Sequence, residues 1–174
     1  MTRTMLGDEI ASHAERLVPG SVARAEAGAC FLRLETLRET MEALRTDPAT
    51  DLLHLTNLCG VDYWDHFEVV YHAQSFDKNQ LACIKAETYD HDAPVVPSVT
   101  PVWFGAWMQE CEAYDLLGIT FEGHPRLYRI FLWDGYPGFP LRKDFLSMPG
   151  GLQPGLSEFA GVAPRQEPPR RAVQ

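Results

Sequence analysis

Apolar and polar positions in the first 50 residues predict two helices with one strand between them. Apolar residues recur at helical spacing from residue 4 to residue 18, namely Met5, Ile10, Ala14 and Leu17. Pro19-Gly20 ends this helix, and the apolar run at residues 29–34 predicts a strand. Thr36 and Glu39 then form a capping-box pattern, which predicts the start of the second helix.

The middle of the chain predicts a sheet. Residues 52–61 are mostly apolar, and residues 67–74 alternate apolar and polar positions, which is typical of a half-buried strand. A polar turn at residues 77–80 precedes a return strand at residues 81–89, so the two segments predict a hairpin. Prolines between residues 94 and 101 predict an extended connection, because proline fixes φ and lacks an amide donor.

A third helix is predicted from Trp103 to Leu117, and Gly118 ends it. Glycine and proline dominate the sequence beyond it, with a short strand predicted from Leu127 to Trp133. These elements favour an α+β fold of two layers, in which helices pack on one face of a mixed β-sheet. We expect one such domain over residues 1–147.

Residues 148–174 predict an extended, proline-rich C-terminal tail. This segment lacks the apolar content to build a core of its own. Leu152, Leu156 and Phe159 lie at spacings of four and three residues, so they could share one face. We expect the tail to dock on partner subunits with these three residues as anchors.

The formal net charge of −9 and a pI near 5.0 narrow the classes of function. Nucleic-acid binding needs a basic surface that displaces counterions from phosphates, so we expect no nucleic-acid partner. An acidic chain is also a poor match for direct docking on anionic lipid. Apolar runs of 18 residues are absent from the sequence, so we expect no membrane span. Asp8 and Glu9 come before any apolar stretch, so we expect no secretory signal.

Cysteine and histidine spacing does not match a metal or cluster motif. The four cysteines lie far apart and are interpreted as reduced thiols. Nucleotide-binding and hydrolase motifs are also missing. His54, His66 and His72 could still meet across a strand pair, which leaves a metal site as the minor alternative. We expect this chain to hold no metal and no cofactor.

The third predicted helix carries the clearest physical signal. Its aromatic stripe contains Trp103, Trp107 and Tyr114, and Glu110 falls within that stripe. A buried carboxylate is costly unless it is paired or hydrogen-bonded. We therefore predict that Glu110 is buried and paired with a basic residue between Arg126 and Lys143. The alternative is a proton-handling carboxylate with a raised pKa.

Two further segments stay open in function. His124 follows Gly123 and precedes Pro125, so it is either a base or ligand, or a residue that hydrogen-bonds its own loop. Residues 135–145 alternate aromatic side chains with stiff turns. That pattern fits a loop that seals the core, and equally a protein interface, where aromatic residues and arginine dominate binding.

The run from Glu110 to Pro125, which ends in Glu-Gly-His-Pro, resembles the signature of the C subunit of NADH-quinone oxidoreductase (respiratory complex I), the 30 kDa-type subunit. Residues 140–145, Pro-Leu-Arg-Lys-Asp-Phe, resemble the closing motif of that family, and residues 97–100 followed by Trp103 and Trp107 fit it as well. Two positions depart from the family pattern: Cys111 replaces an arginine, and Leu117 replaces an aromatic residue. The loss of that arginine would remove a charge from an ion-pair network around Glu110 and Glu112.

The resemblance implies a non-redox structural subunit of the peripheral arm of an NADH- or ferredoxin-quinone oxidoreductase. It would brace the large quinone-site subunit, of the D type, beside the cluster-bearing B-type and I-type subunits. Iron–sulfur clusters and quinone would lie in those partners, and the chain would be held peripherally at the cytoplasmic face of the membrane. The implied structural or interface residues are Glu110, Glu112, Tyr114, Asp115, Gly118, Gly123, His124, Pro125, Arg129, Pro140, Leu141, Arg142, Lys143 and Asp144.

Two alternatives to this function stay open. The first is the equivalent subunit of a membrane-bound [NiFe]-hydrogenase, a branch that the Cys111 departure also allows. The second is a standalone enzyme that uses Glu110 and His124.

Overall fold

A computed structural model describes residues 2–145, which fold into eight strands and three α-helices. In chain order these are β1 (Arg3–Thr4), α1 (Gly7–Leu17), β2 (Val22–Glu26), β3 (Ala29–Leu32), α2 (Leu37–Thr46), β4 (His54–Asp62), β5 (Phe67–Ser75), β6 (Gln80–Thr88), β7 (Val95–Pro97), α3 (Ala106–Leu117) and β8 (Thr120–Glu122). None of the three helices in this range is long and apolar enough to cross a bilayer. The predicted tail at residues 148–174 lies outside the described residues.

Six strands form one mixed sheet in the order β2-β3-β6-β5-β4, and β1 pairs beside β3 on the same edge of β6. The predicted hairpin is confirmed, since β5 and β6 pair antiparallel from Phe67–Thr88 to Ser75–Gln80. β3 and β1 both run parallel to β6, which makes the sheet mixed. β7 and β8 form a separate parallel pair.

The two faces of the sheet differ in chemistry. Alternate residues of β5 and β6, such as Val69, Tyr71 and Ile84, join buried side chains of all three helices in one apolar cluster. The opposite face carries cross-strand ion pairs, for example Lys85 with Glu68 at 2.9 Å. All three helices therefore cover the same face, and the predicted two-layer α+β fold is confirmed.

The starts of α1 and α3 differ from the sequence prediction, and α3 begins at Ala106 and not at Trp103. α1 begins at Gly7 and not at residue 4, because Arg3 and Thr4 pair with β6 as a short strand. α2 begins at Leu37, directly after Thr36, as predicted. The capping box itself does not form, since the Thr36 hydroxyl makes no cap bond and lies buried with no hydrogen-bond partner among the described residues. A 3₁₀ turn at Leu34–Thr36 leads directly into α2, so the chain is already coiled before the predicted cap position.

The predicted strand at residues 127–133 is also wrong. This segment adopts neither helix nor strand, because the amides of Ile130, Phe131 and Leu132 bond to a side chain of α3 and not to a neighbouring strand. The sequence prediction missed the short strands β2 and β8, whose few residues carry no clear alternation.

α3 packs on β4, the last strand of the sheet order. It packs on β4 at Gly60, where an added Cβ would lie 2.5 Å from a methyl carbon of Leu117. The side-chain oxygen of Gln109 accepts a hydrogen bond from the backbone N–H of Leu58. The close approach at Gly60 and this hydrogen bond together fix α3 against β4.

Gly118 ends α3 in the left-handed region, at φ 76°, and an added Cβ would lie 2.5 Å from the ring of Phe139. Gly20 has a similar φ of 82° with open space around it.

We expect Gly20→Ala to lower the free energy of unfolding by about 1–2 kcal/mol through backbone strain. Gly118→Ala should cost about 1–3 kcal/mol more, through overpacking.

Urea denaturation of both variants measures this difference. Equal losses in the two variants would show that Phe139 does not rest against Gly118.

Candidate functional site

Glu110 lies fully buried inside α3, as predicted, and accepts three hydrogen bonds. Its Oε2 atom accepts from the hydroxyls of Ser98 at 2.6 Å and Thr100 at 3.1 Å. Its Oε1 atom accepts from the backbone N–H of Val99 at 2.8 Å. The helix is thereby fastened to the segment that follows β7.

The predicted partner of Glu110 is wrong. No lysine or arginine between Arg126 and Lys143 reaches it; the nearest basic atom is Nε2 of His124, 4.0 Å away. The partners come from residues 98–100, a segment that belongs to the sequence motif but was not assigned this role. Hydroxyls and one amide can satisfy a buried carboxyl group without a buried cation, so the expected ion-pair network around Glu110 does not form.

Burial raises the pKa of Glu110 above its usual range, against the opposing effect of its three donors. This is the direction that a proton-handling carboxylate requires. The side chains of Glu110 and His124 are both closed off from solvent, however, so a substrate has no access to either of them. The geometry therefore disfavours an enzyme that uses this pair.

His124 is fixed in one tautomer by its neighbours. Its Nδ1 atom accepts a hydrogen bond from the backbone N–H of Arg126 at 3.1 Å. Its Nε2 atom lies 3.2 Å from the carbonyl oxygen of Trp107 and must therefore carry the proton. These contacts of the His124 ring fasten the loop after β8 to α3.

Cys111 lies beside His124, with its sulfur 3.9 Å from Nε2. Burial raises the pKa of the Cys111 thiol, so it stays protonated and is a poor nucleophile. The thiol also lies 3.8 Å from the carbonyl oxygen of Arg126. Cys111 is thus a small buried side chain under the loop.

Asp115 is the second buried carboxylate of α3, and it organises the segment that follows. Its Oδ2 atom accepts the backbone amides of Ile130, Phe131 and Leu132 at 2.9, 2.7 and 3.0 Å. Its Oδ1 atom accepts from the guanidinium of Arg129 at 3.1 Å. Three successive amides around one oxygen form an anion-binding nest, here filled by a carboxylate of the same chain.

The pKa of Asp115 shifts in the opposite direction from that of Glu110. Burial alone would raise it, but the three amides and the Arg129 cation outweigh burial and hold it below its usual range. Arg129 also donates to the carbonyl oxygens of Asp115 and Gly138, at 3.2 and 3.1 Å. The ionised carboxylate is therefore the form that holds this segment in place.

Arg142 fastens the end of the described chain. Its guanidinium donates to the carbonyl oxygens of Leu117 at 2.6 Å and His91 at 3.1 Å, and it lies over the ring of Phe67. The next backbone amide, of Lys143, donates to the buried carboxylate of Asp62 at 2.6 Å. The sequence prediction missed Asp62 and His91, because both lie far from residues 140–145 along the chain.

The other predicted site residues have mainly local roles. Tyr114 contacts Phe139 edge to face, Gly123 turns with a φ of 81° beside Arg38, and the Lys143 ammonium lies over Tyr63 and Trp64. Glu112, Pro125 and Leu141 are exposed, and Pro140 is half-buried. Asp144 has a buried oxygen with no hydrogen-bond partner among the described residues.

Metal ligands do not cluster in the part of the chain that the structure describes, where no three His, Cys, Asp or Glu side chains lie close enough to hold an ion. His54, His66 and His72 are not brought together: His54 contacts Phe76, and His66 stacks between Tyr63 and Tyr89.

Fold and site together define a class of protein. It is an α+β domain in which buried carboxyl groups hold the loops, and several apolar side chains lie exposed on its surface. The chain belongs to the family described as respiratory-chain NADH dehydrogenase, 30 kDa subunit, which it matches over residues 31–149.

Curated relatives agree with this family. The chain is 44% identical to the NADH-quinone oxidoreductase C subunit of Roseiflexus sp. (strain RS-1), over 66% of this chain and 67% of that protein. It is 43% identical to the C subunit of the same enzyme from Caulobacter vibrioides, over 81% of this chain and 72% of that protein. The resemblance inferred from the sequence is confirmed.

A solved structure shares the fold at low identity. A chain in the structure of the membrane-bound sulfane sulfur reductase, an archaeal respiratory membrane complex, aligns with a TM-score of 0.64 and 20% identity. The alignment covers 96% of this chain and 99% of that one.

Two substitutions of Glu110 distinguish the contribution of its hydrogen bonds to stability from that of its charge. Glu110→Ala leaves three buried donors unpaired and should lower the free energy of unfolding by about 3 kcal/mol or more. Glu110→Gln keeps an acceptor and should cost only about 1 kcal/mol near neutral pH. The exposed Glu112→Ala is the control, with little expected change.

The pH dependence of Glu110→Gln has a definite sign. Because the pKa of Glu110 is raised by folding, the wild type loses stability relative to Glu110→Gln as pH rises above about 4.3, the usual glutamate value. Chemical denaturation across pH 4–8 tests this, and the opposite trend would contradict the burial argument.

Asp115 should show the reverse dependence. Asp115→Ala should cost about 3–5 kcal/mol, because it leaves Arg129 and three amides without their anion. The folded pKa is lowered, so this stabilisation is complete above about pH 3.9, the usual aspartate value, and is lost as pH falls through the folded pKa.

Denaturation curves of wild type, Asp115→Asn and the exposed control Asp134→Asn between pH 2 and 7 measure the effect. An advantage of wild type over Asp115→Asn that does not shrink in acid would refute the role of the ionised carboxylate.

Proposed function

We propose that this chain is a non-redox structural subunit of the peripheral arm of a complex I-type quinone oxidoreductase. In this role it braces the large quinone-site subunit so that electron transfer to quinone drives proton translocation. Chemistry takes place in partner subunits, which supply the iron–sulfur clusters and the quinone site. The chain's own polar residues hold protein loops in place.

The observation that carries this proposal is the way residues 128–142 are held. Asp115, Arg129 and Arg142 fix a segment without helix or strand. Four of its large hydrophobic side chains remain exposed, namely Tyr128, Phe131, Trp133 and Leu141. Fixing a loop before binding lowers the entropy lost on association. Exposed aromatic side chains on a rigid support are the usual anchors of a protein interface.

The family supports the complex that we propose. The curated relatives compared with this chain bear the name of the NADH-quinone oxidoreductase C subunit, which favours this assignment over a [NiFe]-hydrogenase subunit. The expected partners are the D-type quinone-site subunit and the cluster-bearing B-type and I-type subunits. A peripheral position at the cytoplasmic face of the membrane follows from that assembly, and the electron donor is NADH or ferredoxin.

Native purification tests this function. An affinity tag on the chain in its own cells should recover the quinone-site and cluster-bearing subunits, with quinone reductase activity in the recovered complex. Deletion of the gene should abolish assembled activity, and wild-type chain should restore it. Recovery of the tagged chain without redox subunits would overturn the proposal, and recovery with a nickel-bearing subunit would favour the hydrogenase alternative.

A further inference from the structure

A second group of exposed apolar side chains lies around α3: Phe104 before the helix, Met108 within it and Tyr128 in the loop after β8. Phe104 is 77% exposed, Met108 51% and Tyr128 39%. The Tyr128 hydroxyl lies 3.9 Å from the Met108 sulfur, so these two side chains touch. We name Phe104, Met108 and Tyr128 the α3 patch.

The α3 patch rests on a fixed support. The Phe104 ring lies 5.7 Å from the ring of Trp107, which in turn meets His124 edge-on at 5.1 Å. His124 is held through both ring nitrogens, and Tyr128 precedes Arg129, which is bound to Asp115. A partner therefore finds these side chains already ordered, which lowers the entropy cost of binding.

Arg126 gives the α3 patch its charge. Its guanidinium lies 5.3 Å over the Tyr128 ring, and no carboxylate within residues 2–145 forms an ion pair with it. Several other described arginines do pair with carboxylates, for example Arg24 with Glu87 at 2.6 Å. An exposed, unpaired guanidinium beside apolar side chains is complementary to a carboxylate that arrives next to an apolar group.

We propose that the α3 patch and Arg126 receive a segment of another subunit in which an apolar side chain lies beside an aspartate or glutamate. The apolar side chain packs among Phe104, Met108 and Tyr128, and the carboxylate pairs with Arg126. This inference rests on the proposed function, since it names the chemistry of one contact within that assembly.

Variants of exposed residues test the contact in the intact complex. Phe104→Ser/Met108→Ser and Arg126→Glu should each lower retention of the tagged chain in the washed complex by about tenfold or more. Matched controls on the hairpin turn are Phe76→Ser, which changes a 66% exposed ring, and Lys78→Glu. Both controls should be retained like wild type, and thermal melts should confirm that all four variants fold.

A cross-linker identifies the occupant without weakening the contact. A photoreactive phenylalanine analogue at position 104 should cross-link to another subunit, at a peptide that contains an aspartate or glutamate within a few residues. The same analogue at position 76 is the control. Cross-links to residues 146–174 of this chain, to a second copy of it, or to a peptide without a carboxylate would overturn the proposal.

The two proposals fail in different ways. If wild-type chain assembles but the patch variants are retained equally well, the α3 patch is not a contact and the proposed function stands. If wild-type chain itself recovers no redox subunits, the proposed function fails and this inference fails with it.

Discussion

The carboxylate of Asp115 is the interaction on which the end of the described chain depends. One oxygen gathers three successive backbone amides, and the other holds Arg129. Those amides have no strand to pair with, so without this anion the segment after β8 would have to satisfy them with water. A single side chain of α3 thus accepts the hydrogen bonds that a neighbouring strand would otherwise accept.

α3 carries two buried carboxyl groups whose different environments shift their pKa values in opposite directions. Asp115 meets three amides and a cation, and its pKa falls. Glu110 meets two hydroxyls and one amide, with His124 nearby, and its pKa rises because burial outweighs these neighbours. Both groups hold loops, yet burial favours the protonated form of Glu110, whereas the three amides and Arg129 favour the ionised form of Asp115. Glu110 and Asp115 lie only five positions apart on the same helix.

The open face of the sheet and the α3 side differ in how their charges are arranged. On the open face, charged side chains pair across the strands, as in Lys85 with Glu68 and Arg24 with Glu87. Around α3 and the loops after it, exposed aromatic side chains lie beside Arg126, which forms no ion pair within residues 2–145. Exposed aromatic side chains also occur elsewhere, at Trp64, Phe76 and Tyr89, so the combination with this cation is what distinguishes the α3 side as a candidate contact surface.

The sequence by itself determined the hairpin, the end of α3 at Gly118, the burial of Glu110 and the family, because alternation, glycine and rigid motifs act over short distances. Only the tertiary structure decided which groups meet. Glu110 and Asp115 each take partners that lie 10 to 17 residues away, and Asp62 meets Lys143 across 81 residues. The periodicity of apolar residues does not predict which of these distant side chains meet, since that depends on how helix, sheet and loops pack together. For the same reason the strand predicted at residues 127–133 does not form: three of its amides donate to the carboxylate of Asp115 and not to a neighbouring strand.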